Sequence, residues 1–139
     1  MAFVRERIVR DGEHCLHLAS LSGSTPIVAL LLSKGADPDI RSTYSKGLRM
    51  HPLSWATYYG RHEIISLLLE NGADPNADFD LGGDSFQNDE ERKVTVLDVV
   101  EKIILDMSVD DERKGEFVEA RNAIVKGGGL RWSTVKDEL

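Results

Sequence analysis

Cysteine is almost absent from this chain, and so are the features that direct a protein through or into a membrane. Cys15 is the single cysteine, so no disulfide can form within the chain, and a reducing compartment, the cytoplasm, is expected. No apolar run approaches the roughly 20 residues that cross a bilayer. Charges interrupt the short apolar stretches of residues 1–13. The sequence therefore predicts neither a signal peptide nor membrane insertion.

Positive charge is also in deficit. Lys and Arg total 17 against 24 Asp and Glu, which gives a net charge of −7. Nucleic-acid binding needs a clustered basic face, so we expect no nucleic-acid partner. A basic protein partner is compatible with this charge. With 139 residues, of which 41% are hydrophobic and 29% charged, the chain fits one folded globular domain.

The short motifs of common enzyme and cofactor sites are missing as well. The sequence has no nucleophile elbow, no phosphate-binding Gly-Lys-Ser/Thr string and no dinucleotide fingerprint. The triple glycine at 127–129 follows a predicted helix, whereas a phosphate site uses the start of one. We therefore predict that the protein is not an enzyme and holds no cofactor.

Histidine and cysteine side chains occur close together, but not in a metal-binding pattern. His62-Glu63 begins like the H-E-x-x-H zinc motif, yet Ser66 stands where the second histidine belongs. The string HCLH at residues 14–17 supplies at most three ligands, and no second cluster completes a four-ligand zinc site. These residues are predicted to have structural roles.

The acidic stretch 78–93, DFDLGGDSFQNDEERK, is the longest predicted loop. Counted from Asp78, it places Gly83 at the sixth position, as in calcium-binding loops. However, Gly82 takes a ligand position and Asp89 replaces the glutamate at the twelfth. We therefore predict a solvated acidic insertion and no metal site.

An internal repeat is the strongest signal in the sequence. The string GSTPIVALLLSKGADPD at residues 23–39 returns as GRHEIISLLLENGADPN at residues 60–76, shifted by 37 residues. Each copy predicts an apolar helix that ends at a Gly and turns at Ala-Asp-Pro. In the first copy, Thr25 is the predicted N-cap and Pro26 the first helical residue. Repeats of this period indicate a stack of similar units.

The repeat divides the chain into three predicted units. The first covers residues 11–40 and begins with a helix over Cys15–Ser22. The second covers residues 50–77. The third, at 95–132, has a longer first helix starting near Thr95 and a second helix over Glu116–Lys126. Residues 1–10 form an N-terminal segment or partial cap, and residues 133–139 form a charged tail, so that residues 11–139 make a single domain.

Two of these units carry the same motifs in the same order. Repeat one reads His14-Cys15-Leu16-His17-Leu18-Ala19, Gly23, Ile27-Val28, Leu30-Leu31-Leu32 and Gly35-Ala36-Asp37-Pro38-Asp39. Repeat two reads His51-Pro52-Leu53-Ser54-Trp55-Ala56, Gly60, His62-Glu63-Ile64-Ile65, Leu67-Leu68-Leu69 and Gly72-Ala73-Asp74-Pro75-Asn76. The sequence thus resembles ankyrin repeat proteins. A divergent third copy, starting Thr95-Val96-Leu97-Asp98, is similar to a C-terminal capping repeat.

The resemblance implies an all-α fold, a short solenoid of stacked antiparallel helix pairs with hairpin-like connectors. The ring of His17 would then hydrogen-bond neighbouring turns. The chain departs from the family pattern where His replaces Thr at the first position of both helix starts and Cys15 replaces Pro. The connectors at 41–49 and 78–93 are longer than the family standard.

The resemblance also implies a function. Such stacks bind other proteins on the concave face, formed by the first helices and the hairpin tips. Three aromatics in five residues of the second unit support this face, since Trp and Tyr are common binding anchors. We expect Tyr58 to be exposed, whereas Trp55 has the alternative role of filling the core between repeats. The predicted contact residues are Tyr44, Lys46, Arg49, Met50, Trp55, Tyr58, Tyr59, Phe79 and Asp80.

Two alternatives stay open. The alternative function is that of an assembly element, either as part of a longer repeat array or as a homodimer through an uncovered N-terminal repeat face. A monomer is favoured over the homodimer. The final residues, Lys136-Asp137-Glu138-Leu139, match an endoplasmic-reticulum retention signal, so residence in that lumen is the alternative to the cytoplasm.

Overall fold

The computed structural model describes residues 15–42, 49–81 and 92–139. Within these ranges the chain is mainly helical, which confirms the predicted all-α repeat class. The elements are α1 (Cys15–Ser22), α2 (Thr25–Ser33), α3 (Pro52–Tyr58), α4 (His62–Glu70), β1 (Phe79–Asp80), β2 (Lys93–Val94), α5 (Val96–Asp106), α6 (Lys114–Lys126) and α7 (Trp132–Asp137). The N-terminal segment 1–10 and most of the acidic loop lie outside the described residues.

The helices form two layers. Helices α1, α3 and α5 are neighbours in one layer, the first-helix layer, and α2, α4 and α6 are neighbours in the other. Each first helix also packs against the second helix of its own unit. A single helix pair cannot bury its apolar side chains by itself, so the units stack and share a core. Its fully buried members include Leu53, Ile64, Ile65, Leu68, Val96, Val100, Ala120 and Ile124.

The tight turn between the two helices of a unit is where the next unit makes contact. Gly60 has a φ of 67°, and a Cβ built on it would lie 3.2 Å from the ring of Phe117 in α6. Gly23 has a φ of 82°, and a Cβ built on it would lie 2.9 Å from the guanidinium carbon of Arg61, at the start of the next unit's second helix. A side chain at either position would both strain the backbone and meet the following unit.

A second line of contacts joins the turns that follow the second helices. The backbone N–H of Asp74 donates to the Asp39 carboxylate at 2.9 Å. One unit later, the backbone N–H of Leu130 donates to the Asn76 side chain at 2.6 Å. The two acceptors are 37 residues apart, so equivalent positions of successive repeats perform the same joining role.

The buried ring of His51 takes the place of the hydroxyl that the family pattern has at this helix start. The His51 ring caps α3, since its Nδ1 accepts from the backbone N–H of Ser54 at 3.3 Å. Its Nε2 lies 3.3 Å from the carbonyl oxygen of Ala77, and its edge meets the Phe79 ring. Burial, reinforced by the charge of Arg41, lowers the pKa of His51 to about 3. The ring is therefore neutral and donates from Nε2.

His17, which is also buried, confirms the predicted role of its ring. His17 Nε2 lies 3.1 Å from the carbonyl oxygen of Met50, at the base of the next unit. In the third unit the helix start is a capping box, in which the Asp98 carboxylate accepts from both the backbone N–H and the hydroxyl of Thr95. The first two units thus use a histidine ring near the helix start, and the third uses a Thr-Asp pair.

Both connectors are closed by backbone hydrogen bonds at their bases. Strands β1 and β2 pair antiparallel, with Phe79 opposite Val94 and Asp80 opposite Lys93. The first connector is closed by the backbone N–H of Ser42, which donates to the carbonyl of Met50 at 2.8 Å. The predicted loop 78–93 therefore contributes its two ends to a hairpin.

Three predicted boundaries differ from the structure. Helix α2 already includes Thr25, so the N-cap position falls to Ser24, whose side chain makes no capping hydrogen bond. Helix α6 begins at Lys114 rather than Glu116. Most of the predicted charged tail is the helix α7. Its start is held because the backbone N–H of Trp132 donates to the Asp98 carboxylate at 2.9 Å, a contact that sequence periodicity does not reveal.

Candidate protein-binding surface

Three aromatic side chains of the first-helix layer lie on α3 and at its C-terminal end. The rings of Trp55 and Tyr59 are 6.4 Å apart and tilted by 31°. Tyr59 is 39% exposed, whereas Trp55 and Tyr58 are half-buried against the core. Together with Met50 they line an open cavity of about 360 Å³, which we call the Trp55 cavity.

A second cavity adjoins the first on the side of α5. Its volume is about 240 Å³, and we call it the α5 cavity. Its lining is mostly apolar and comprises Tyr58, Leu81, Val94, Asp98, Val99, Lys102 and Ile103. Because Tyr58 lines both cavities, they are adjacent depressions on one continuous surface. That surface runs from α3 across α5 to the base of the hairpin.

Tyr58 is held in place by its neighbours. Its ring meets that of Phe79 edge-on, with the centroids 6.3 Å apart. Burial raises the pKa of the Tyr58 hydroxyl, so the side chain stays protonated at neutral pH. The wall between the two cavities is therefore a neutral aromatic ring with limited freedom to move.

One polar group of Trp55 is unusual. The indole Nε1 of Trp55 is shielded from solvent and makes no hydrogen bond to any described residue. A buried donor without an acceptor costs about 1–3 kcal/mol.

Charges around the two cavities are largely paired. Lys102 contacts Asp106 at 3.0 Å, and the guanidinium of Arg49 lies 3.8 Å from the Asp78 carboxylate. Arg41 links the bases of both connectors, because its Nη1 donates to the carbonyls of Arg49, at 2.7 Å, and of Asp78. Burial lowers the pKa of Arg41. The described part of this surface therefore favours apolar contact over charge attraction.

The structure divides the predicted contact residues into four groups. Tyr59 and Arg49 are exposed, and Trp55, Tyr58 and Asp80 are half-buried, so the expectation that Tyr58 is exposed was wrong. The side chain of Phe79 is fully buried and cannot reach a partner without local opening, which corrects its assignment to a contact surface. Met50 is only 5% exposed, but it lines the Trp55 cavity. Phe79 instead supports His51 and Tyr58 from below. Tyr44 and Lys46 lie outside the described residues.

Sequence reasoning missed the contribution of α5. Val99 and Ile103 occupy the places in the third unit that Trp55 and Tyr59 occupy in the second, shifted by 44 residues instead of 37. The lengthened connector hides this correspondence. Aligning the helix starts at His51 and Thr95 would have revealed it.

No metal or membrane site emerges from the described ranges. Across residues 15–42, 49–81 and 92–139, no group of three or more His, Cys, Asp or Glu side chains is arranged to hold a metal ion. In the same ranges, no helix is long and apolar enough to cross a membrane.

Comparison with known proteins identifies the repeat. The family model for ankyrin repeats (3 copies) matches residues 3–78, which is more than half of the chain. The match ends before α5 and α6, so the divergent third unit lies beyond it. A search among curated proteins found no match. The match to the family model over more than half of the sequence, together with the two layers of stacked helix pairs, shows that this chain belongs to the ankyrin repeat family.

Proposed function

We propose that this protein is a non-catalytic interaction module that binds a protein partner on the concave face formed by its first helices and hairpin tips. Ankyrin repeats are generally protein-interaction modules and generally lack catalytic activity. The observation that carries the finer proposal is the pair of adjacent cavities that share Tyr58 as a wall.

The chemistry of these cavities defines the kind of segment they would accept. Each has room for a bulky apolar side chain, and together they would take two such side chains from one segment of the partner. Tyr59, exposed at the rim, is suited to be an anchor because aromatic rings bury large areas with few rotatable bonds. A partner carbonyl or carboxylate near Trp55 would supply the acceptor that its indole lacks.

The rim of the surface would add polar contacts. Arg49 and Asp80 lie at the bases of the two connectors. Tyr44 and Lys46, in the first connector, remain proposed contacts on the strength of the sequence alone. Rim charges usually affect association rate and salt dependence more than affinity, so we assign the binding energy mainly to Trp55, Tyr59 and Ile103.

The test is capture of a partner followed by measurement of its affinity. The chain is used as bait in an extract of its source cells, and a captured protein is then titrated against the purified chain. In a Trp132→Phe background, Trp55 is the only tryptophan and reports binding at its own cavity by fluorescence. We expect Tyr59→Ala to weaken binding by about tenfold or more.

Val125→Ala is the matched control. Val125 is 55% exposed on α6, in the opposite layer, so its truncation should leave affinity within about twofold of wild type. The proposed face would be wrong if the Tyr59→Ala and Ile103→Ala proteins bound the partner as tightly as wild type, while a substitution in the second-helix layer weakened binding.

We propose a cytoplasmic location, because a single cysteine is usual for a reducing compartment. The alternative is the lumen of the endoplasmic reticulum, since residues 136–139 are exposed and accessible to a receptor. Fractionation of cells expressing the untagged protein, followed by immunodetection, distinguishes the two. Protease protection inside sealed microsomes would contradict the cytoplasmic assignment.

A further inference from the structure

Arg41 lies at the junction of the two connectors and is half-buried there. Its Nη1 donates to the carbonyl of Arg49 at 2.7 Å, where the first connector ends, and to the carbonyl of Asp78, where the second connector begins. A terminal guanidinium nitrogen carries two hydrogens, so one nitrogen serves both carbonyls. This side chain therefore joins the two connectors at their bases.

The 37-residue shift shows that this junction is not a general contact of the repeat. Arg41 and Asp78 are equivalent positions, so the side chain at one position reaches the backbone of the same position in the next unit. Asp78 cannot repeat the contact toward the third unit, because an ionised carboxylate has no donor. The contacts that recur between successive turns use Asp39 and Asn76 as acceptors instead. The Arg41 junction is therefore particular to the connectors that precede α3 and follow α4.

Each of the two carbonyls is followed directly by a residue that shapes the candidate surface, the continuous surface that contains the Trp55 cavity and the α5 cavity. Met50 follows the first carbonyl and lines the Trp55 cavity. Phe79 follows the second, and its ring supports Tyr58, the wall that both cavities share. Arg41 is not among the described residues that line either cavity. A change at Arg41 would therefore reach the cavities through Met50 and Phe79.

The backbone at the first carbonyl is in a conformation that needs support. Arg49 has a φ of 55°, and among the described residues other than glycine no second one has a positive φ. A non-glycine residue in this left-handed region is strained and persists where surrounding contacts fix it. The hydrogen bond from Arg41 fixes the Arg49 carbonyl. The next carbonyl, of Met50, accepts from the backbone N–H of Ser42 and lies 3.1 Å from His17 Nε2.

Nearby charges hold the guanidinium at this junction. Burial and the charge of Arg49 lower the pKa of Arg41, and the carboxylates of Asp78, Asp39 and Asp74 raise it in part. An arginine with a lowered pKa is still charged at neutral pH. Hydrogen bonds from a charged donor are stronger than those from a neutral one. Both connector bases therefore depend on a strong, half-buried donor.

We propose that Arg41 is the positioning residue of the candidate surface, because its guanidinium fixes both connector bases and thereby places Met50 and Phe79 around the two cavities. The proposal rests on the function proposed above. It assigns part of the binding affinity to a residue that lies outside both cavities. Loss of the guanidinium should alter the Trp55 cavity and the affinity together, although no cavity-lining group is removed.

Trp55 tests this proposal without any partner. In the Trp132→Phe background it is the remaining tryptophan, and its indole Nε1 is shielded from solvent and bonded to no described residue. Arg41→Met keeps an unbranched side chain and removes the donors. If the cavity opens, water reaches the indole. We therefore expect the Trp55 emission of the folded variant to move to longer wavelength and its acrylamide quenching constant to rise.

Affinity is the second measurement. The protein captured by the wild-type chain should bind Arg41→Met about threefold to tenfold more weakly, since a surface that is less well organised loses more conformational freedom on binding. Circular dichroism confirms that the variant is folded under the conditions of both measurements.

The matched control is Arg61→Met. Arg61 is also half-buried and also joins two units through a backbone carbonyl, because its Nε lies 3.3 Å from the carbonyl oxygen of Leu21. It stands beside Gly23, at the turn between α3 and α4. We expect Arg61→Met to lower the urea midpoint, as Arg41→Met does. Its Trp55 emission, quenching constant and affinity should match those of the background.

Unchanged emission and quenching in folded Arg41→Met would overturn the proposal, and so would equal changes in Arg61→Met. If Arg41→Met does not fold, Arg41→Lys replaces it, because lysine keeps the charge but lacks the guanidinium fork. The same results then decide.

Failure of the proposed function has a different signature. If Tyr59→Ala binds the captured protein as tightly as wild type, the concave face is rejected, and with it the role of Arg41 in binding, whatever the fluorescence shows. If Tyr59→Ala weakens binding and Arg41→Met does not, the concave face stands and the positioning role of Arg41 is wrong.

Discussion

The side-chain oxygen of Asn76 accepts a hydrogen bond from the backbone N–H of Leu130, with the two atoms 2.6 Å apart. The amide of the same side chain donates to the carbonyl of Gly128 at 3.1 Å. One residue of the second unit therefore holds the turn that ends the third unit. In the unit before, Asp39 holds Asp74 in the same way through a carboxylate.

We expect Asn76→Ala to destabilise the protein by about 0.5–1.5 kcal/mol, because it removes two hydrogen bonds to the backbone of the last turn, whose groups are partly accessible to water. Urea unfolding at pH 7 measures this change. The control is Asp39→Asn, which keeps the acceptor oxygen for the backbone N–H of Asp74 and removes the charge. Burial raises the pKa of the Asp39 carboxyl, the hydrogen bond from Asp74 lowers it in part, and the nearby charge of Asp37 raises it further. The stability of this variant should lie within about 0.5 kcal/mol of wild type. If Asn76→Ala leaves the free energy of unfolding unchanged, this turn is held by other contacts.

The buried ring of His51 makes stability depend on pH. Its pKa is about 3 in the folded protein and about 6.5 when exposed, so between these values the unfolded chain binds more protons. The contribution is complete above pH 6.5 and is lost as the pH falls toward 3. We expect the free energy of unfolding to fall by on the order of 1 kcal/mol for each pH unit below 6.5.

Urea unfolding at pH 7, 6 and 5 checks this dependence, and His51→Thr is the comparison, because Thr caps a helix without titrating. The variant should be less stable at pH 7, having lost the ring and its bond to Ala77, but its stability should fall less steeply with pH. Equal slopes in the two proteins would mean that His51 is not the titrating group. The raised pKa of Asp39 acts in the opposite direction near pH 4, so the comparison is made at pH 5 and above.

The turn glycines differ in what surrounds them, and this predicts different mutational costs. Gly60→Ala and Gly23→Ala strain the backbone alike, at φ 67° and 82°. At Gly60, however, the new methyl group meets the buried ring of Phe117 at 3.2 Å, whereas at Gly23 it meets the flexible end of Arg61, which can move aside. We expect Gly60→Ala to cost about 1 kcal/mol more than Gly23→Ala in thermal or urea unfolding. Equal costs would indicate that Phe117 also shifts freely.

Phe79 and Tyr59 separate stability from binding. Phe79→Ala removes a fully buried ring that supports His51 and Tyr58, and we expect a loss of about 3–5 kcal/mol in the free energy of unfolding. Tyr59→Ala truncates an exposed ring, so its unfolding free energy should change by less than about 1 kcal/mol. The two variants are compared by urea unfolding. A large stability loss in Tyr59→Ala would mean that this ring belongs to the core and would weaken its assignment as a binding anchor.

Much of the fold could be predicted because its signals are local. The 37-residue shift, the apolar spacing of Ile64, Ile65 and Leu68, and the glycine turns depend on residues close in sequence. Helix α1 has the bounds that were predicted. The third unit was harder, because its longer connector changes the shift from 37 to 44 and its helix start has Thr95 and Asp98 in place of the histidines.

The candidate surface was predicted only in part. Aromatic enrichment indicated Trp55, Tyr58 and Tyr59, but composition cannot tell a ring that lines a cavity from one that fills the core. Phe79 follows the second repeat in sequence and was therefore assigned to a connector tip. In the folded chain its strand pairs with β2, and this pairing directs the ring under His51.

The sequence by itself determined the repeating unit, the helix layers and the family, since each follows from short-range patterns that recur along the chain. Only the tertiary structure decided which side chains of each unit are covered. Ile27 and Ile64 are identical residues at equivalent positions, yet one is half exposed and the other is buried. The physical reason is that burial depends on which unit lies alongside, and stacking brings together residues that are distant in the sequence.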